Sequence, residues 1–103
     1  MSLSPARVRG LALGLPGAVE QDHHGFPSFR VAGRIFATLP DDGHLNVMLE
    51  EADIRAELEA HGDCCEAQRW GGRLAALRVD LSSADAERVR GWLADAWERR
   101  ARR

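Results

Sequence analysis

Between residues 89 and 97, Val89, Trp92, Leu93, Ala96 and Trp97 fall at i, i+3, i+4, i+7 and i+8. That spacing places five apolar side chains on one stripe of an α-helix, and such a stripe is stable only when something covers it. The chain supplies the cover in a different period. Phe29 and Val31 alternate with Ser28 and Arg30, and Ile35, Ala37 and Leu39 alternate with Phe36 and Thr38. Leu45, Val47 and Leu49 then resume the alternation. A period of two belongs to strands, and the run Ile35 to Leu39, apolar at Phe36 as well, predicts a strand that buries both faces. The turn signals Ala32-Gly33 and Asp41-Asp42-Gly43 break these runs into an antiparallel meander, with a short additional strand around Val19–His23.

Two further helices flank the strands. Ser4 and Pro5 read as an N-cap and first helical position, followed by the stripe Val8, Leu11, Ala12 and Leu15, which Pro16-Gly17 ends. Glu50 to His61 reads as a second helix with acids in its first turn and Gly62 after its end, its stripe being Ile54 and Leu58. Cys65–Arg69 and Leu74–Leu81 form a hairpin joined by Trp70-Gly71-Gly72-Arg73. Ser82 or Ser83 is the expected cap of the last helix. Gly91 inside that helix costs about 1 kcal/mol relative to Ala, which suggests a close approach there, eased also by Ala94 and Ala96. Arg99–Arg103 reads as a frayed basic tail.

The order is therefore α-β-β-β(-β)-α-β-β-α, a two-layer α+β fold with an antiparallel sheet and helices on one side. At 103 residues with 45% hydrophobic content, a single domain over 1–103 is expected, burying roughly two-thirds of its unfolded surface. No linker, repeat or low-complexity segment interrupts it.

Net charge is −2, which gives no global attraction to nucleic acid or membrane. Residues 1–40 carry four Arg against two acids, residues 41–66 nine acids against Arg55, and residues 67–103 nine Arg against five acids. An anion-binding surface must therefore be local. All fourteen basic residues are Arg, a whole-chain bias that coding composition explains better than site chemistry. Adjacent Cys64 and Cys65 close no useful loop, which fits a reducing, cytoplasmic setting. Arg7 and Arg9 before Leu11–Leu15 imitate a signal peptide, but Pro16-Gly17 cuts the run short. No apolar run reaches membrane-spanning length.

The residues Gly25-Phe-Pro27-Ser-Phe29-Arg-Val31 followed by Gly33-Arg34-Ile-Phe36-Ala37 resemble the signature of the MmcQ/YjbR family. Leu15-Pro16-Gly17, Trp70-Gly71-Gly72 and Ala96-Trp97 are similar to the family in the same order along nearly the whole chain. Arg34 stands where Lys is usual, keeping the charge. The resemblance implies a two-layer antiparallel fold and a DNA-binding role through two hairpin wings. That role rests on fold analogy, and fold does not fix function. The family motifs mark no catalytic or binding residues.

The residues themselves offer little chemistry. His61, Cys64 and Cys65 supply at most three ligands, while a structural zinc site needs four, and His23 and His24 are expected on opposite faces of a strand. The cysteines follow a helix C-terminus beside Asp63 and Glu66, which disfavours a reactive thiolate. Asp41-Asp42 and Glu50-Glu51 read as turn and helix-start residues. No metal, cofactor or catalytic set is assigned, and the chain is expected to be a monomeric binding domain without enzymatic activity. Duplex DNA is the expected partner. Arg30 and Arg34 flank one turn, and Arg69 and Arg73 flank another that carries Trp70. The two tips could straddle a phosphate backbone. The alternative is a small-molecule or protein-binding module using a groove between sheet and helix, with Trp70 closing over the ligand. A third, enzymatic reading would require His23, His24, His44 or His61 to meet a nucleophile.

Overall fold

The computed structural model describes residues 2–102. Helix α1 spans Pro5–Leu13, and the strands β1 (Val19–His23), β2 (Phe26–Val31), β3 (Arg34–Asp41) and β4 (His44–Val47) follow. Helix α2 spans Glu51–His61, β5 and β6 are Cys65–Trp70 and Arg73–Asp80, and α3 is Ala86–Ala101. The fold is α+β, with one six-stranded antiparallel sheet in the order β1-β2-β3-β4-β6-β5. Only α2 interrupts the run of hairpins. It carries the chain past β6 so that β5 forms the outer edge.

Register explains the core. Phe29 pairs with Ala37, Ala37 with Val47, and Val47 with Leu77, so these side chains share one face in a row across the sheet. Val89, Leu93 and Ala96 of α3, Val8 and Ala12 of α1, and Ile54 of α2 join them in a single apolar cluster, each at most 1% exposed. Strand β3 does bury consecutive residues, Phe36 to Leu39. The reason is a register shift that leaves Phe36 unpaired between Ala37 and Ile35, so Phe36 and Ala37 both join the core.

Local chemistry sets the ends. Ser4 accepts a hydrogen bond from the Arg7 N–H at 3.1 Å, as the N-cap position requires. At α3 the expected cap is corrected. Asp85, not Ser82 or Ser83, accepts from the Arg88 N–H at 3.1 Å. Ser82 is instead held by Asp80, whose carboxylate accepts from both its N–H and its hydroxyl. Three hairpins turn on two residues with positive φ, His24-Gly25, Ala32-Gly33 and Gly71-Gly72, the conformation that matches strand twist.

Three other expectations are corrected here. Gly91 faces solvent, and a Cβ there would meet nothing within 4 Å, so no close approach requires it. His24 sits in a turn, and its ring centroid lies 4.4 Å from that of His23 rather than across the sheet. Residues 99–101 are helical, not frayed. Arg99 donates to the Met48 carbonyl at 2.9 Å, Arg100 to that of Ile35 at 3.1 Å, and Arg34 to that of Arg102 at 3.2 Å. Arg103 lies outside the described residues. No helix among the described residues is long and apolar enough to cross a membrane.

Replacing Gly91 with Ala should stabilise the fold by about 1 kcal/mol, read as a higher urea midpoint at unchanged slope. Leu93→Ala should cost about 2–5 kcal/mol by the same measurement, because Leu93 is 1% exposed.

Candidate functional site

The sheet has a second face, and its residues are polar. The register that aligns the apolar row also aligns Gln21 with Ser28, Ser28 with Thr38, Thr38 with Asn46, and Asn46 with Arg78. A polar row on an open face is ordinary. Here its centre is buried: Ser28 is 0%, Thr38 3% and Asn46 4% exposed. Ser28 is satisfied, since its hydroxyl donates to the Gln21 carbonyl at 2.8 Å and accepts from Arg30 Nε at 3.2 Å. Asn46 is not, for its Oδ1 has no hydrogen-bond partner among the described residues. An unpaired buried acceptor forfeits about 1–3 kcal/mol.

Thr38 and Asn46 line a cleft of about 470 Å³ along this face. One end is built from the β1–β2 hairpin, where His23, His24 and Phe26 meet; the rings of His23 and Phe26 pack edge to face at 5.5 Å. The other end is built from Ile35, Met48, Trp70 and Arg100. Trp70 is the last residue of β5, paired with Arg73 across the Gly71-Gly72 turn, and is 47% exposed. A large, half-open indole is an unusual surface residue and gives this end an apolar wall.

A second hollow of about 400 Å³ adjoins the first. Met48, Trp70 and Arg100 border both, and Arg73 and Arg99 line the second together with Glu50 and Glu51. Antiparallel alternation puts the Ala32-Gly33 and Gly71-Gly72 turns at the same end of the sheet, where α3 ends. Arg34, Arg73, Arg99 and Arg100 therefore gather. Burial, and then the like charges of Arg99, Arg34 and Arg73, hold the Arg100 guanidinium below its ordinary pKa. Among the described residues no carboxylate forms an ion pair with any of these four.

The five residues singled out from the sequence thus separate. Arg34, Trp70 and Arg73 stand in or beside this cluster. Arg30 is held against Ser28 within the polar row, and Arg69 donates to the Gly72 carbonyl of its own turn at 3.4 Å. Arg99 and Arg100, read from the sequence as tail, complete the arginine group. Thr38 and Asn46 do carry a signal in the sequence: polar residues at the alternate positions of strands too apolar to be edges.

Asp41, His44, His61 and the two cysteines are engaged elsewhere. His44 and the Gly43 N–H hold Asp41 below the usual carboxylate range, the His44 contact at 2.9 Å being the larger cause. The His61 ring packs against Trp92 at 5.9 Å. Cys64 and Cys65 Sγ atoms lie 3.5 Å apart as free thiols. Burial, the Cys64 contact and the nearby Glu57 and Asp63 push the Cys65 thiol far above its ordinary pKa, the opposite of a reactive thiolate. Among the described residues no three His, Cys, Asp or Glu side chains are placed to hold a metal ion.

A family model described as YjbR matches residues 13–99. No curated protein and no solved structure matches the chain.

Asn46→Val, which removes the unpaired oxygen from a central strand and substitutes a good strand former, should raise stability by about 1 kcal/mol in urea unfolding.

Proposed function

The chain belongs to the YjbR family, and from that premise we propose that it is a binding module, not an enzyme, that holds a small anion-bearing molecule in the cleft over Thr38 and Asn46. The observation that carries this reading is Arg100. Its half-buried guanidinium reaches the apolar end of the cleft, three further arginines stand near it, and no carboxylate among the described residues pairs with it. A cation partly withdrawn from water gains most from an anion delivered to it. The cleft volume lies in the range of about 300–1,000 Å³ common to small-ligand sites. Against catalysis, His44 and His61 are engaged by Asp41 and Trp92, and burial pushes the Cys65 thiol above its ordinary pKa.

Duplex DNA is the second reading, favoured by the same arginine group at the wing formed by β5 and β6. Asp22, exposed on β1 beside the other Arg-bearing hairpin, and Glu50 on the rim oppose it. If Arg34, Arg73, Arg99 and Arg100 each neutralise a phosphate, log K against log salt should have a slope of about −3.6.

The two readings separate in one set of measurements. A panel of small carboxylates and phosphates, scanned by thermal unfolding, should contain members that raise Tm. Arg100→Gln should weaken those members about tenfold or more. Unchanged affinity in that variant would remove the cleft from the account, and steep salt-dependent duplex binding with no small-molecule shift would favour DNA.

A further inference from the structure

We propose that the anion held in the cleft is the carboxylate of an aromatic acid, gripped in the plane of the Arg100 guanidinium while its ring lies in the apolar end formed by Ile35 and Trp70. This inference rests on the cleft being the binding site and adds the chemical class of its occupant.

Contacts of the fold bring these side chains to one place. Arg100 Nε donates to the Ile35 carbonyl at 3.1 Å, Arg99 to that of Met48 at 2.9 Å, and the Met48 N–H to that of Phe36 at 2.9 Å. Ile35, Met48, Trp70 and Arg100 all line the cleft, and the last three border the adjoining hollow as well. A cation and an apolar wall therefore share one end, and the β1–β2 hairpin at the other end is not needed to hold the ligand.

The bond to Ile35 also fixes which part of Arg100 is on offer. Nε is committed to that carbonyl, and among the described residues Nη1 and Nη2 make no hydrogen bond. Those two nitrogens present parallel N–H bonds in one plane, spaced for the two oxygens of a carboxylate. Charge then selects carboxylate over phosphate. Arg100 is the only arginine lining the cleft, while Arg73 and Arg99 stand in the adjoining hollow with Glu50. A monoanion matches that single cation. A phosphate dianion would bring a second charge where no second arginine pairs it, and charge withdrawn from water is costly unless paired. The neighbouring arginines act at a distance, raising the local potential that draws an acid in.

The wall selects an aromatic body. Trp70 is 47% exposed, whereas Trp92 is 4% exposed, so the fold itself leaves much of the Trp70 indole unpacked at the mouth of the cleft. A ring laid against it in an offset or edge-to-face arrangement gains more than its buried area alone provides. A saturated acid of the same size buries a similar area and lacks that gain.

The test is calorimetric titration of the full chain with benzoate, cyclohexanecarboxylate, phenyl phosphate and inorganic phosphate. Benzoate should bind about threefold or more tightly than cyclohexanecarboxylate, the margin that an aromatic contact supplies, and more tightly than phenyl phosphate. Trp70→Leu, at a half-exposed position and therefore expected to fold, should bring benzoate down to the level of cyclohexanecarboxylate. Arg100→Lys, which keeps the charge and removes the fork, should weaken both carboxylates about tenfold. Benzoate no tighter than cyclohexanecarboxylate, a preference that survives Trp70→Leu, carboxylate binding undiminished in Arg100→Lys, or phenyl phosphate as tight as benzoate overturns the inference while the anion site stands. If no small anion binds at all, in this set or in the wider panel of carboxylates and phosphates, the cleft reading itself is lost.

Discussion

The packing of α3 onto one face of the sheet is the contact on which the remaining architecture depends. Val89, Leu93 and Ala96 lie against the row that includes Phe29, Ala37, Val47 and Leu77, and α1 and α2 complete the same layer. Burial of that apolar area is the main favourable term available to a chain whose two cysteines are free thiols. It also dictates sidedness. Once three helices cover one face, the alternate residues of every strand must line the other, and among the described residues no helix lies across that second face. Trp97 reinforces the arrangement by donating its indole N–H to the Pro16 carbonyl at 2.8 Å, which ties the segment after α1 to α3.

The last turn of α3 converts packing into chemistry. Arg99 and Arg100 cap the carbonyls of Met48 and Ile35, so the helix end is stitched to the sheet where β3 carries its irregular register. A guanidinium has five donors, and a single bond to a carbonyl leaves most of them available. The side chains that anchor the helix are thus also the side chains that present positive charge at the end of the cleft. Arg34, bonded to the Arg102 carbonyl, adds charge at the same place. Structural and recognition roles coincide in these residues, and a variant that removes one removes part of the other.

The open face carries a cost that the fold does not recover internally. Asn46 is buried with an unpaired oxygen in a central strand, where Val or Ile would be better tolerated. The exposed Trp70 and the outward His23–Phe26 group add apolar surface at the two ends of the same cleft. Local departures from the rules of folding concentrate where a protein meets another molecule, and here they concentrate on one face rather than being scattered.

Which parts were legible in the sequence follows from the range of the interactions involved. The helices and strands were, because periods of 3.6 and 2 and a Gly-Gly turn act within a few residues. Competition between neighbours defeated the finer reading even locally: Asp80 holds Ser82, leaving Asp85 to cap α3, and Gly91 simply faces water. Family kinship was visible in motifs spread over the chain, and it implied wings without saying which residues act on them. The gathering of Arg34, Arg73, Arg99 and Arg100 was not visible, because they come from three elements far apart in the chain and meet only when α3 docks. Sequence alone determined the elements and the side of each strand that is apolar, since both arise from spacing along the backbone. Tertiary structure decided which polar residues are enclosed and which charges become neighbours, since enclosure and Coulomb interaction depend on distances through space.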